Sequence, residues 1–296
     1  MNSQVNKDSF SATLTEFFTT RRRWQKRLLG KCTYGSVSII YLFFLFSFVS
    51  FAKAQERTVS TQFAVGHLNQ LDTYISNEKY YGTEWRFVSE VVKDSKKRPL
   101  TYSLTHEGAF ANTHNRVDNA NELSGHYNFA YSVMRKWSCP SNLLFRDSRF
   151  TFRAGLFANI DLGFCYNNRT SANNPAQGYA SVNIGPQVMA NYDFPLWNKV
   201  FRLTYEARIP LAGLMFSPNY GQSYYEIFNK GNYDHNIVFT SIATFQLRHQ
   251  LSLDIPVAQR TSLRIGYLGD IRQATPNNLK QHQWYNAVIV GVTIKK

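Results

Sequence analysis

Apolar and polar residues alternate along most of the chain from Gln55 onward. In VFRLTYEARI, Phe201, Leu203, Tyr205, Ala207 and Ile209 fall on one side, and Arg202, Thr204, Glu206 and Arg208 on the other. A period of two marks a strand whose two faces meet different surroundings. RFTFRAGLFANIDLGF carries the same pattern further, with Phe150, Phe152, Leu156, Ile160, Leu162 and Phe164 opposite Arg149, Thr151, Arg153, Asn159 and Asp161. TEWRFVSEV sets Trp85, Phe87 and Val91 against Glu84, Arg86 and Glu90; PLTYSLTHEGAF sets Leu100, Tyr102, Leu104 and Phe110 against Thr101, Ser103, Thr105 and Glu107. ELSGHYNFAYSV, YASVNIGPQVMANY, IVFTSIATFQLRHQLSLDI, SLRIGYLGDIR and WYNAVIVGVTI repeat the motif, and RTVSTQFAVGHL opens the series less regularly. That makes about ten predicted strands and no convincing helical segment.

The connections alternate as well. Those after even-numbered strands are mostly tight (SKKR, FPLWN, PVAQRT), and those after odd-numbered strands are mostly longer, including 69–81, NNRTSANNPAQG and SPNYGQSYYEIFNKGNYDHN. The 138–147 connection breaks the rule by its length. An even number of antiparallel strands with short turns at one end and long loops at the other is the plan of a transmembrane β-barrel.

Periodicity does not say which face is inside, and a soluble barrel with an apolar interior has the same period. Charge chemistry separates the two. The polar faces carry Arg86, Arg153, Arg202, Arg208 and Arg248 with Glu84, Glu107, Asp161 and Glu206, and almost no Lys. A water-facing surface takes Lys freely, whereas planar guanidinium with matching carboxylate suits a confined interior. These nine residues are the expected charge network of a packed lumen, because ten strands enclose little space. The apolar faces are then left for lipid. The fold class is all-β, an antiparallel transmembrane β-barrel of about ten strands over residues 55–296.

The first 54 residues read as an export signal. RRRWQKRLLGK is a cationic lead, VSIIYLFFLFSFVSF an apolar run, and AKA before Gln55 a small-x-small cleavage site. The net charge of +14 is partly placed there, since eight of the 33 Lys/Arg and two of the 19 acids precede Gln55. With no helix-turn-helix, finger or RNA-recognition signature, nucleic acid is not an expected partner. Cys139 and Cys165 are too few for a disulfide scaffold, and the seven histidines lack paired ligand spacing, so no metal or cofactor is expected.

Three blocks, GHLNQLDTYISNEKYYG, SPNYGQSYYEIF and LRIGYLGDIRQATPNNLKQHQWYNAVIVGV, resemble an uncharacterised Bacteroidetes family, domain of unknown function 3316, whose members look like outer-membrane β-barrels. The resemblance spans nearly all of 55–296. It implies the outer membrane of a Gram-negative bacterium, with lipid, lipopolysaccharide and the barrel-assembly machinery as partners, and it brings no catalytic residues. The ending IKK, in place of a terminal aromatic residue, departs from outer-membrane barrels generally and weakens the expectation of standard handling by that machinery.

Candidate chemistry concentrates in residues 217–236. Tyr220, Tyr224, Tyr225, Glu226 and Tyr233 form the expected lid or ligand-binding set, because Tyr offers stacking area and a hydroxyl at low entropic cost. A hydrolytic rim would draw on Glu226, Asp234 and His235, with Asp72, His114, Asp118 and Asp270 on other external connections. Ser124, His126 and Asn128 share one strand face, which register assigns to the lumen, and GQSYY is not a G-x-S-x-G elbow. The expected role is non-enzymatic, in envelope integrity or surface binding; a narrow channel for small polar solutes and a surface hydrolase are the alternatives.

Overall fold

The computed structural model describes residues 57–141, 147–169, 175–241 and 244–296. The expected export signal over 1–54 lies outside the described residues. Strands β1 (Arg57–Asp72), β2 (Ser76–Asp94), β3 (Leu100–Asn115), β4 (Asn121–Ser141), β5 (Ser148–Asn167) and β6 (Ala176–Leu196) follow one another as antiparallel neighbours. The second half comprises β7 (Lys199–Arg208), β8 (Ala212–Phe216), the short helix α1 (Tyr224–Phe228), β9 (Ile237–Ser241), β10 (Leu247–Pro256), β11 (Thr261–Ala274) and β12 (Gln281–Lys295). β7 pairs with β6 and β10, β11 with β10 and β12, and β12 returns to β1, which closes the sheet.

Twelve strands make ten staves. β8 continues β7 along β6: Gln187 faces Arg208 below the join and Ile184 faces Ala212 above it. Between them, the backbone N–H groups of Ile209 and Leu211 still reach the Pro186 and Ile184 carbonyls, at 3.2 and 2.9 Å. Pro210, which has no N–H, interrupts the ladder there. Gly185 lies against this join, where a Cβ would come within 2.0 Å of the Ile209 carbonyl oxygen. β9 and β10 are likewise two parts of one stave, but among the described residues β9 pairs with β8 alone. Above the Leu247–Ile271 pair the wall is held by side chains instead, starting with Gln246 Nε2 donating to the Gln273 carbonyl at 3.2 Å.

The barrel is apolar outside and polar within. Phe63, Trp85, Phe87, Leu156, Ile184 and Val288 are among many large apolar side chains left exposed on the outer face. Gln62, Arg86, Glu107 and Gln187 are buried on the inner face. A contiguous apolar surface of this extent is far more than a water-soluble monomer exposes, and it matches the hydrocarbon band of a transmembrane barrel.

Two sequence expectations are corrected. The 69–81 segment is not a long loop: β1 and β2 run through it in register, with Asn69 opposite Tyr81, to a turn at 73–75. β2 alone has 19 residues, about 60 Å of strand at ~3.3 Å per residue, which far exceeds the bilayer core. Beyond the bilayer both faces are wet, so hydrophobic alternation disappears while the strand continues. The 138–147 connection shortens for the same reason, since β4 reaches Ser141 and β5 begins at Ser148. The second correction is α1, where no helix was expected.

Candidate functional site in the upper lumen and its cap

Halfway along the lumen the inward-facing charges meet. Arg86, with 2% of its side chain exposed, contacts Glu84 at 2.7 Å, Asp270 at 2.7 Å and Glu107 at 3.4 Å, and its guanidinium lies 4.3 Å from the Tyr285 ring centroid. Arg248 reaches Glu107 at 2.5 Å, and Arg208 reaches Glu206 at 2.6 Å while donating to Thr105 Oγ1. Arg272 bridges Asp270 at 2.8 Å and Asp161 at 3.5 Å, and its Nη2 lies 2.8 Å from His126 Nε2. Beside this cluster Ala64, Leu68, Leu268, Ala287 and Ile289 pack as an apolar patch. Nearer the termini, Arg153 pairs with Asp94 at 3.2 Å and Arg202 with Asp193 at 2.5 Å. Guanidinium is the ion of choice here because its fork satisfies two or three carboxylates at once.

Above this floor lies a cavity of about 90 Å³, lined by Asp72, Glu122, His126, Tyr179, Met215 and Arg272 among others. Its two upper acids are held by neutral donors in place of guanidinium. Tyr179 Oη donates to Asp72 at 2.5 Å and the Tyr74 amide donates at 3.0 Å. Glu122 accepts from Gln70 Nε2 at 2.9 Å and Asn167 Nδ2 at 3.0 Å, and Gln70 Oε1 accepts from Ser124. Ser124 and His126 therefore engage different partners, and no Ser–His contact forms between them.

The 217–236 segment closes the cavity from above. Ser223 and Glu226 form a capping box: the Glu226 amide donates to Ser223 Oγ at 3.2 Å, and the Ser223 amide donates to Glu226 Oε2 at 2.8 Å. S-x-x-E before an apolar residue is a helix-start signature, and it was the legible signal for α1 in SYYEIF. The Ser223 amide, then its hydroxyl, hold the Glu226 carboxyl below its ordinary value. Gly221 and Gly231 take left-handed φ of +73° and +70° on either side of the helix, a region where glycine has no Cβ penalty.

Groups from three other elements fasten this cap. Tyr224 Oη accepts from the Gly178 amide at 2.6 Å, and its ring packs against Tyr74, Phe216 and Phe228. Partial burial pushes its hydroxyl pKa up. Tyr74 Oη donates to the Gln222 carbonyl at 2.7 Å. Asn277 Nδ2, from the β11–β12 connection, donates to the carbonyls of Ser217, Pro218 and His235 at 3.3, 3.3 and 3.0 Å. Asn236 Nδ2 ties the two ends of the segment together through the Ser217 carbonyl and Gln222 Oε1.

The expected lid residues therefore separate into two groups. Tyr224 points inward as a fastener and Glu226 caps the helix. Tyr220, Tyr225 and Tyr233 stand out in solvent, 86%, 60% and 62% exposed. The rim candidates do not assemble: Glu226 is engaged by Ser223, and Asp270 lies in the ionic floor and not on an external connection, a correction that follows from β11 extending to Ala274. Among the described residues no group of three His, Cys, Asp or Glu is arranged to hold a metal ion. Sequence reading missed Asp72 and Glu122 as cavity residues, and Tyr74 and Asn277 as fasteners. The parity of an extended β1 would have turned Asp72 inward, whereas nothing local marks Asn277.

The fold is similar to that of the outer membrane protease OmpT from Escherichia coli, with a TM-score of 0.48 at 6% identity over 84% of this chain and 99% of that one. It is also similar to the transport unit of the autotransporter AIDA-I from Escherichia coli, with a TM-score of 0.43 at 9% identity over 84% and 93% of the two chains. No curated protein matches the chain. The model of the family described as "Protein of unknown function (DUF3316)" matches residues 40–295, and the chain belongs to that family.

Proposed function

We propose that this protein is an outer-membrane barrel with a shut lumen that holds a rigid aromatic cap outside the cell as a binding surface. The apolar outer wall supports membrane insertion. The tight turns and the carboxyl terminus share one end, which by the plan of such barrels faces the periplasm, so the 217–236 cap faces outward. The observation that carries the binding role is the exposure of Tyr220, Tyr225 and Tyr233 on a segment that is cross-braced from three sides. Exposed aromatic groups on a pre-ordered loop lose little entropy on binding, which is how tyrosine-rich recognition surfaces work. The ionic floor argues against conduction, since Arg86 and Arg272 are locked between carboxylates across the narrow bore.

The test uses detergent-solubilised protein on an array of bacterial and host glycans that includes purified lipopolysaccharide. Wild type is expected to give saturable binding to at least one spot, with loss of about tenfold or more in affinity in the Tyr220→Ser/Tyr225→Ser/Tyr233→Ser variant. Equal binding by both proteins, or none by either, sinks the reading. Planar-bilayer recordings are expected to show no steady conductance for wild type.

A further inference from the structure

The end of the barrel away from the cap carries a collar of positive charge. Lys93 near the end of β2, Arg135 six residues before the end of β4 and Lys199 at the start of β7 lie on the outer wall, and all three are exposed. The turns add exposed Lys96, Lys97, Arg98 and Arg260, and the chain ends in exposed Lys295 and Lys296. Acids at this end are engaged elsewhere: Asp94, Asp193 and Asp254 pair with Arg153, Arg202 and Arg264. Asp147 is the one exposed acid there among the described residues. The capped end differs, because its exposed bases Lys79, Arg116, Arg169, Lys230 and Lys280 are interspersed with the exposed acids Glu78, Asp118 and Asp234.

We propose that this collar binds anionic phospholipid headgroups of the leaflet around the barrel's terminal end. The direction of the side chains decides between a lipid layer and a partner seated over the mouth. The outer-wall bases continue the lipid-facing rows: Lys93 follows Val91, and Lys199 precedes Phe201 on alternate positions. On the inward rows at this end Asp94, Asp193 and Asp254 are each held by an arginine, and Arg149 and Lys295 continue those rows at the rim. Aromatic residues mark the lipid boundary at the same level. Trp137 stacks with Phe152, the Arg135 guanidinium lies 5.7 Å from the Trp137 ring centroid, and Trp197 at the β6–β7 turn tip is 82% exposed. Tryptophan and basic side chains sharing one level of the outer wall is the arrangement that anchors a protein to a charged headgroup layer.

The proposal rests on membrane placement, and the test separates the two. Full-length barrel is folded into mixed phosphatidylcholine/phosphatidylglycerol vesicles and floated. The lipid that stays bound after mild detergent extraction is then quantified by mass spectrometry. Wild type is expected to retain phosphatidylglycerol enriched about threefold or more over the bulk ratio, with the enrichment falling between ~0.05 and ~0.5 M salt as screening grows. The Lys93→Gln/Lys96→Gln/Lys97→Gln/Arg98→Gln variant is expected to return toward the bulk ratio. The cap-end variant Lys79→Gln/Lys230→Gln/Lys280→Gln is expected to match wild type. Both variants are first required to give the wild-type folded band on unboiled gels; since all the replaced groups are exposed, folding is expected to survive. Wild type that floats without enrichment overturns the collar alone, as does equal enrichment in wild type and the collar variant, or equal loss in the two variants. Wild type that fails to float overturns the membrane placement as well.

Discussion

Arg86 in the lumen floor and Asn277 in the cap each gather three partners, and the two clusters answer to different physics. Arg86 holds the carboxylates of Glu84, Glu107 and Asp270 with almost no contact with water. Asn277, whose φ of +51° suits asparagine better than most residues, holds three backbone carbonyls at the edge of solvent. In the floor every member is charged and desolvated, so losing one partner strands the others. In the cap the groups are neutral and water can replace a lost donor. One cluster makes the barrel a single cooperative object, and the other keeps a surface segment in shape.

The largest effect expected from breaking this contrast is at Arg86. Arg86→Met leaves buried carboxylates without their cation and is expected to cost about 3–5 kcal/mol. The readout is a large fall in the temperature at which the folded band converts on unboiled gels. Adding Glu84→Gln and Asp270→Asn to that variant is expected to restore part of the loss. A wild-type transition for Arg86→Met would remove the distinction between floor and cap.

Asn277→Ala comes next. It removes three hydrogen bonds at the edge of solvent, for a local loss of about 1–2 kcal/mol. Limited proteolysis within 217–236 is expected to quicken several-fold while the heat transition of the barrel stays put. A lowered barrel transition would mean that the cap is part of the cooperative unit. The smallest effect is at the capping box. Ser223→Ala is expected to loosen α1 by about 1 kcal/mol, again seen only as faster cleavage. The Glu226 carboxyl is held below its ordinary value by the Ser223 amide and hydroxyl, so its contribution is present above the unfolded value of about 4.3 and is lost as pH falls through the folded one. Cleavage of the wild-type cap is therefore expected to quicken below about pH 4, and Glu226→Gln is expected to lack that acid step.

Much of the barrel was legible because its faces differ. Where lipid meets one side and a polar lumen the other, as in VFRLTYEARI, each residue's face follows from its parity, and the number of staves follows from the count of such runs. Above the bilayer that contrast vanishes, which is why the strands beyond Asn69 read as a loop. The split of the seventh and eighth staves was hidden for another reason. Pro210 disrupts only one ladder, and the continuation of β8 on β6 is a matter of register between distant residues.

The sequence by itself determined the all-β class, the count of ten staves, the apolar wall and the shared inner face of the nine charges read from the alternating runs, since period-two patterning is a local property of the chain. Only the tertiary structure decided which of those charges meet. Arg86 with Asp270 and Arg208 with Thr105 are partners across the bore, fixed by stagger and curvature and by no local spacing. It also decided that Tyr224 fastens the cap while Tyr220 and Tyr233 face solvent, because four tyrosines in one loop are chemically alike until a neighbouring Gly178 amide or Tyr74 ring selects one of them.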